Sequence, residues 1–129
     1  MRLKGDMIVP GNVKGITVIS LDPISFLGDI DPETGIIVAE KHSLKGESIK
    51  NKIFVFSTGK GSTVGSYVLY QLYKNGCSPA GIVNKEAEAI VAVGAIISEI
   101  PMIHHVEITK IPHNKEVILN ADDGFIEFE

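Results

Sequence analysis

Phe54-Val55-Phe56-Ser57-Thr58-Gly59-Lys60-Gly61-Ser62-Thr63-Val64-Gly65-Ser66-Tyr67-Val68-Leu69-Tyr70-Gln71-Leu72 joins an apolar run to a repeat of longer period through a pair of glycines. The run reads as a buried strand ending at Phe56, and the repeat as a helix starting near Ser62. Val64, Val68 and Leu72 recur every four residues and share the helix face to be buried. Gly76 is placed to stop that helix. A strand that turns through glycines into a helix leaves backbone N–H groups free at the helix N-terminus. With the helix dipole, those donors favour an anion or a developing negative charge. Ser62 would stand in that field with its hydroxyl exposed, and Lys60 two residues before it. The same residues also suit an ordinary turn in which Ser62 merely caps the helix.

Two familiar anion-binding signatures are excluded here. A phosphate loop needs glycine at position 54 and Ser or Thr after the lysine, where Phe54 and Gly61 stand. A dinucleotide fingerprint needs its third glycine at position 64, where Val64 stands.

Before this stretch, Met7-Ile8-Val9 and Ile16-Thr17-Val18-Ile19 read as short strands parted by the turn signal Pro10-Gly11-Asn12. A long loop follows over residues 23–35. Its Asp29, Asp31 and Glu33, with Glu40, fall at calcium-loop positions. The glycine such a loop requires is replaced by Thr34, however, and strand-like Ile36-Ile37-Val38 stands where the exiting helix should be. The acidic residues therefore read as shaping a surface loop that faces a ligand or partner.

After Gly76, Ala80-Gly81-Ile82-Val83 reads as a second buried strand, and residues 86–97 as a second helix. That helix is apolar almost all round, so it should be deeply covered or lie under a partner. Ile100-Pro101-Met102-Ile103 reads as a short strand with Pro101 at its edge. Val117-Ile118-Leu119 and Phe125-Ile126-Glu127-Phe128 close the chain as strands around an Asp122-Asp123-Gly124 turn. Strands at both ends with two β–α units between argue one α/β domain over residues 1–129, a β-barrel-like layer with helices on one side.

Composition narrows the partners. Twelve basic residues stand against 16 acidic ones, giving a net charge of −4 without a basic stripe, which argues against nucleic acid. The apolar run 87–97 is far short of the ~20 residues of a membrane span. Met1-Arg2-Leu3-Lys4-Gly5-Asp6 lacks the apolar core of a signal peptide, and a lone Cys77 suits a reducing cytoplasm. Cys77 lies just past a helix C-terminus, where the dipole disfavours a thiolate, so it reads as structural. His104-His105, His113 and distant His42 invite a zinc reading. Neighbouring strand residues point to opposite faces, so His104 and His105 should not share one ion.

Four segments occur in order: Gly28-Asp29-Ile30-Asp31-Pro32-Glu33-Thr34-Gly35, Gly59-Lys60-Gly61-Ser62-Thr63-Val64-Gly65-Ser66, Asn84-Lys85-Glu86-Ala87-Glu88 and Asp122-Asp123-Gly124. Together they make the chain resemble the small subunit of aconitase X, which in archaea is the phosphomevalonate dehydratase small subunit. The resemblance covers nearly the whole sequence. It implies the swivelling β/β/α domain, equivalent to the mobile last domain of aconitase. It also implies a hydro-lyase of the modified mevalonate pathway, forming trans-anhydromevalonate 5-phosphate from (R)-5-phosphomevalonate. Bacterial and fungal relatives fuse both subunits and include cis-3-hydroxy-L-proline dehydratases; a separate chain of 129 residues points to the archaeal type.

The family's proton-accepting serine falls on Ser62, with Gly59, Lys60, Gly61 and Thr63 around the substrate. Aconitase proper continues the motif with Ser-Arg-Glu, whereas Thr63-Val64-Gly65 follows here. Ser62 therefore lacks the arginine that helps hold the base as an alkoxide, and Lys60 or a large-subunit group has to assist. The resemblance implies a 4Fe–4S cluster as the Lewis acid. A cluster needs three or four thiolates, so with Cys77 alone it must belong to a large subunit. A rival reading takes the same helix N-terminus as a non-catalytic, anion-binding or regulatory module.

Overall fold

All four residues of β4 (Ile53–Phe56) are buried, on both faces of the sheet. In the computed structural model, which describes residues 1–40, 42–59 and 65–129, this strand is the centre of three layers. Phe54 and Phe56 face one core with Ile82, Val68, Leu69 and Leu72. Ile53 and Val55 face a second core with Val83, Val117, Leu119 and Ile126. A strand covered on both sides must be apolar at every position, and so this one reads.

The remaining strands are β1 (Arg2–Lys4), β2 (Asp6–Val9), β3 (Asn12–Ser20), β5 (Gly81–Asn84), β6 (Met102–His104), β7 (Glu116–Asn120) and β8 (Phe125–Glu127). Their order is β1-β8-β7-β3-β4-β5-β6-β2. Long β3 joins two sheets: Asn12 to Ile16 pair antiparallel with β7, and Thr17 to Ser20 pair parallel with β4. β4, β5 and β6 continue the parallel part, and β2 closes its far side antiparallel to β6. The antiparallel sheet thus packs on one face of the parallel one and the helices on the other, giving a β/β/α architecture. β6 is therefore an inner strand, and Pro101 precedes it, its carbonyl accepting the Ile82 N–H at 2.9 Å.

Helix α2 is described as Gly65–Lys74. Val68 and Leu72 are buried as expected, with Leu69 beside them; the predicted start near Ser62, and Val64, lie outside the described residues. Gly76 (φ 72°) ends the helix by putting the Cys77 N–H on Leu72 O at 2.9 Å and its own on Tyr73 O at 3.1 Å.

Helix α3 (Ala89–Ile97) begins three residues later than the sequence suggests. The Lys85 and Glu86 N–H groups are taken by Ser57 O and the Ala87 N–H by His104 Nδ1, so Glu88 is the first residue free to cap, accepting the Ile90 N–H. Only its Val91, Gly94 and Ala95 are buried, while Val93, Ile96 and Ile97 are 45%, 55% and 55% exposed. Within the chain, α3 is covered on one side alone.

The surface loop expected over residues 23–35 is instead partly in the core, as are residues 37 and 49 beyond it. Ile24, Phe26, Ile30, Ile37 and Ile49 are buried, and the Phe26 ring meets Phe54 and Phe56 edge-on at 6.2 and 5.9 Å. This part of the chain contains the short turn α1 (Phe26–Asp29), and the expected Ile36-Ile37-Val38 strand is reduced to single bridges, Ile30 to Ile37 and Ile36 to Ser48.

Candidate active site at the carboxyl ends of the parallel strands

β3, β4, β5 and β6 run parallel, so Ser20, Phe56, Asn84 and His104 end them on one edge of the sheet. In open α/β sheets ligands bind outside that edge. From β4 the chain continues through Ser57 and Thr58 to Gly59, which pairs with Ile24 while Thr58 O accepts the Ile24 N–H at 3.0 Å. From β5 it turns through Lys85 and Glu86, whose N–H groups both donate to Ser57 O at 3.1 Å. Gly59 lies under the start of α3: a Cβ there would stand 2.5 Å from Val91 Cγ2 and 3.4 Å from the Glu88 Cβ. Only glycine permits that approach. The structure thus brings together Gly59 and residues 84–88, which the sequence singles out separately. Lys60, Gly61, Ser62 and Thr63 lie outside the described residues.

Sequence reasoning quotes Asn84 as the first residue of the segment 84–88 but gives it no role. It is fully buried, and its Nδ2 donates to Phe56 O at 3.0 Å and Val83 O at 3.3 Å. Its Oδ1 and the Ser57 Oγ are buried and have no partner among the described residues. A buried acceptor left unmatched costs roughly 1–3 kcal/mol. The signal in the sequence is a single amide ending an otherwise apolar strand.

At the end of β6, backbone geometry overturns one expectation. His105 has φ +62°, so the two rings do not part to opposite faces but stack, centroids 3.6 Å apart. Among the described residues, Asp6, His104 and His105 offer donor atoms within 4.8 Å of one another. Their chemistry does not suit an ion. The Ala87 N–H points at His104 Nδ1 at 3.1 Å, so the proton of the neutral ring sits on Nε2 and no free lone pair remains. His105 instead bonds carboxylates at both nitrogens, Asp6 Oδ2 at 2.6 Å and Glu86 Oε2 at 3.3 Å. The Asp6 hydrogen bond raises the His105 pKa, whereas burial, then the neighbouring His105, lowers that of His104.

The other histidines have structural partners. Leu44 N–H donates to His42 Nδ1 at 3.0 Å, leaving Nε2–H for Ser20 Oγ at 3.0 Å, and Ile19 N–H donates to His113 Nδ1 at 3.1 Å.

Cys77 is buried at the far end of α2, its Sγ 3.5 Å from Pro32 O, and burial pushes its thiol up. One buried thiol does not fit an iron–sulfur cluster, which needs three or four thiolates. Pro32 O also accepts from Asn75 Nδ2 at 2.8 Å, so residues 32–35 pack at the end of α2 opposite Gly59. Asp29 and Asp31 accept backbone N–H groups of their own loop, from Ser25 and Glu33, both at 2.9 Å. The loop is a structural strap along α2.

The aconitase X swivel-domain model matches residues 2–128. The phosphomevalonate dehydratase small subunit of Methanosarcina acetivorans is 56% identical, over 98% of this chain and 90% of that protein. Its counterpart from Thermococcus sibiricus is 50% identical over 100% of this chain and 99% of its own. A crystal structure of Thermococcus kodakaraensis aconitase X in its holo-form superposes with TM-score 0.98 at 49% identity, covering 100% of this chain and 98% of that one.

Proposed function

The chain belongs to the aconitase X swivel-domain family, and from that membership we propose that it is the small subunit of a hydro-lyase dehydrating (R)-5-phosphomevalonate to trans-anhydromevalonate 5-phosphate. The observation that carries the reading is its whole-chain likeness to small subunits named for that activity. The geometry agrees with it, because Gly59 and residues 84–88 meet at the sheet edge where α/β folds take ligands.

Dehydration beside a carboxylate needs a base for the α-proton and a Lewis acid on the departing hydroxyl. Ser62 is the base in this proposal: its oxygen takes the α-proton, and the electrons left behind form the double bond as the hydroxyl departs. Helix N-terminal amides and Lys60 favour the serine oxyanion. Gly59, Lys60, Gly61 and Thr63 line the substrate around it. The residues of this chain do not supply a cluster site, so the Lewis acid, a 4Fe–4S cluster, belongs to a larger partner subunit. The complex works in the cytoplasm, with this chain as one swivel domain. Among the described residues, no helix is long and apolar enough to cross a membrane.

The test is reconstitution. The chain, assembled with the larger subunit, should form trans-anhydromevalonate 5-phosphate from 5-phosphomevalonate, and the chain alone should not. Ser62→Ala should assemble normally, an N-cap loss costing about 1 kcal/mol, and lower kcat at least roughly a hundredfold with KM within a few-fold. Exposed Ser43→Ala is the control. Near wild-type turnover by Ser62→Ala removes the base assignment and leaves an anion-binding module.

A further inference from the structure

Asn84 closes β5 in register with Phe56, on the face that carries the helices. Its surroundings are apolar, with Phe54, Phe56 and Ile82 in the same layer. One half of the amide is matched there: Nδ2 donates to the Phe56 and Val83 carbonyls at 3.0 and 3.3 Å. Since both partners are acceptors, the nitrogen must face them, and this fixes where the oxygen points. That oxygen is buried and has no partner among the described residues. Ser57, one residue beyond the strand position paired with Asn84, holds a second buried oxygen with no partner among the described residues. Both stand on the edge where Ser57 O gathers the Lys85 and Glu86 N–H groups and where the chain leaves Gly59. An apolar residue of similar size would remove the unmatched Oδ1 but also the Nδ2 donor to the Phe56 and Val83 carbonyls, so the two halves of the amide act on the stability of the free chain in opposite directions.

We infer that Asn84 is a positioning residue of the active site, its Oδ1 an acceptor for a protein N–H or O–H donor that comes into place when the two subunits meet. The inference rests on reading this edge as the hydro-lyase's site. A bond made only on assembly adds nothing to folding of the free chain. It restrains its donor during turnover, and small errors in the placement of reacting groups lower rates steeply.

Two variants test this, each assembled with the larger subunit. Asn84→Leu has similar volume and no polar atoms. Asn84→Asp keeps an oxygen at the Oδ1 position and, when protonated, a donor toward Phe56 O. Free Asn84→Leu should melt within a few degrees of wild type and still assemble, while kcat falls at least about tenfold with KM within about twofold. Asn84→Asp should regain activity as pH falls and its buried carboxyl takes up a proton. Near wild-type kcat in Asn84→Leu, or lost assembly in both variants, overturns the inference. The side-chain carbonyl carbon of labelled Asn84, followed by NMR, gives a readout independent of substrate. It should shift on assembly, and an unchanged signal overturns the inference even if the enzyme prefers another hydroxy acid. Failure of the wild-type complex on 5-phosphomevalonate, with that shift intact, removes only the substrate reading.

Discussion

His105 Nδ1 lies 2.6 Å from Asp6 Oδ2, joining the turn after β6 to the first residue of β2. The His105 N–H donates to Lys85 O at 3.0 Å and its Nε2 meets Glu86 Oε2 at 3.3 Å, so the same residue also holds the turn after β5. His104 takes the Ala87 N–H beside it. The two rings titrate in opposite directions. His105 binds its proton more tightly when folded. Its contribution is complete below the unfolded value of 6.5 and is lost as pH rises through the raised folded value. His104 is depressed, so its contribution is present above 6.5 and is lost as pH falls through the lowered value. NMR titration should find His105 above His104, and Asp6→Asn should bring His105 back toward its ordinary value. Asp6→Asn should lower the melting temperature most near about pH 5.5 and less near about pH 9, because the contribution is lost as pH rises through the raised folded value. Equal losses at both would show that the ion pair contributes nothing.

The outer face of α3 presents Val93, Ile96 and Ile97 to solvent. Asp at any of the three should change the melting temperature of the free chain little, within about 0.5 kcal/mol, as exposed substitutions do. If this face meets the larger subunit, Ile97→Asp should weaken assembly at least tenfold by titration calorimetry. Unchanged affinity in all three variants would place the interface elsewhere.

Gly35 has φ +74°, and a Cβ on it would stand 2.7 Å from Cys77 O. Gly35→Ala should therefore destabilise the chain by roughly 1–3 kcal/mol, through steric overlap added to backbone strain. Calorimetry with calcium should show no tight binding by the wild-type chain, because Asp29 and Asp31 are already bonded to their own loop. Tight binding would restore the calcium reading of that loop.

Much of this fold is legible in the sequence because its signals are local. The uninterrupted Phe54-Val55-Phe56 announces a strand covered on both faces, and Val68 and Leu72 with Gly76 give the helix stripe and its stop. What is not legible depends on partners distant in sequence. β1 has one apolar residue, Leu3, and exists because Phe125, Ile126 and Glu127 pair with it. The α3 start moves because Ser57 O and His104 Nδ1 take the donors that a longer helix would have used. The histidine stack turns on a single positive φ at His105, which alternation along a strand does not anticipate. At the site, the glycine motif is legible and Asn84 is not: its meaning lies in an unmatched oxygen visible only once the neighbouring strand is in place.

Within residues 59–63 Gly59 is the described one, and its role can be tested apart from that of the proposed serine base. It has no side chain to do chemistry, so what it contributes is room. A Cβ at this position would meet Val91 Cγ2 at 2.5 Å and the Glu88 Cβ at 3.4 Å. Val91 is 4% exposed and has little freedom to move aside, so α3 must shift away from the end of β4. Gly59→Ala should then cost roughly 1–3 kcal/mol of stability and also lower kcat, since residues 84–88 move with the helix that follows them. Val91→Ala removes the methyl groups that block the Cβ, at its own cost of a few kcal/mol for lost burial. The double variant should be more stable than the sum of the two single losses predicts, by at least about 0.5 kcal/mol, and should recover part of the turnover lost by Gly59→Ala. Strict additivity in both stability and rate would mean that Gly59 and Val91 do not touch in the working enzyme, and that the glycine serves the substrate rather than the packing of α3.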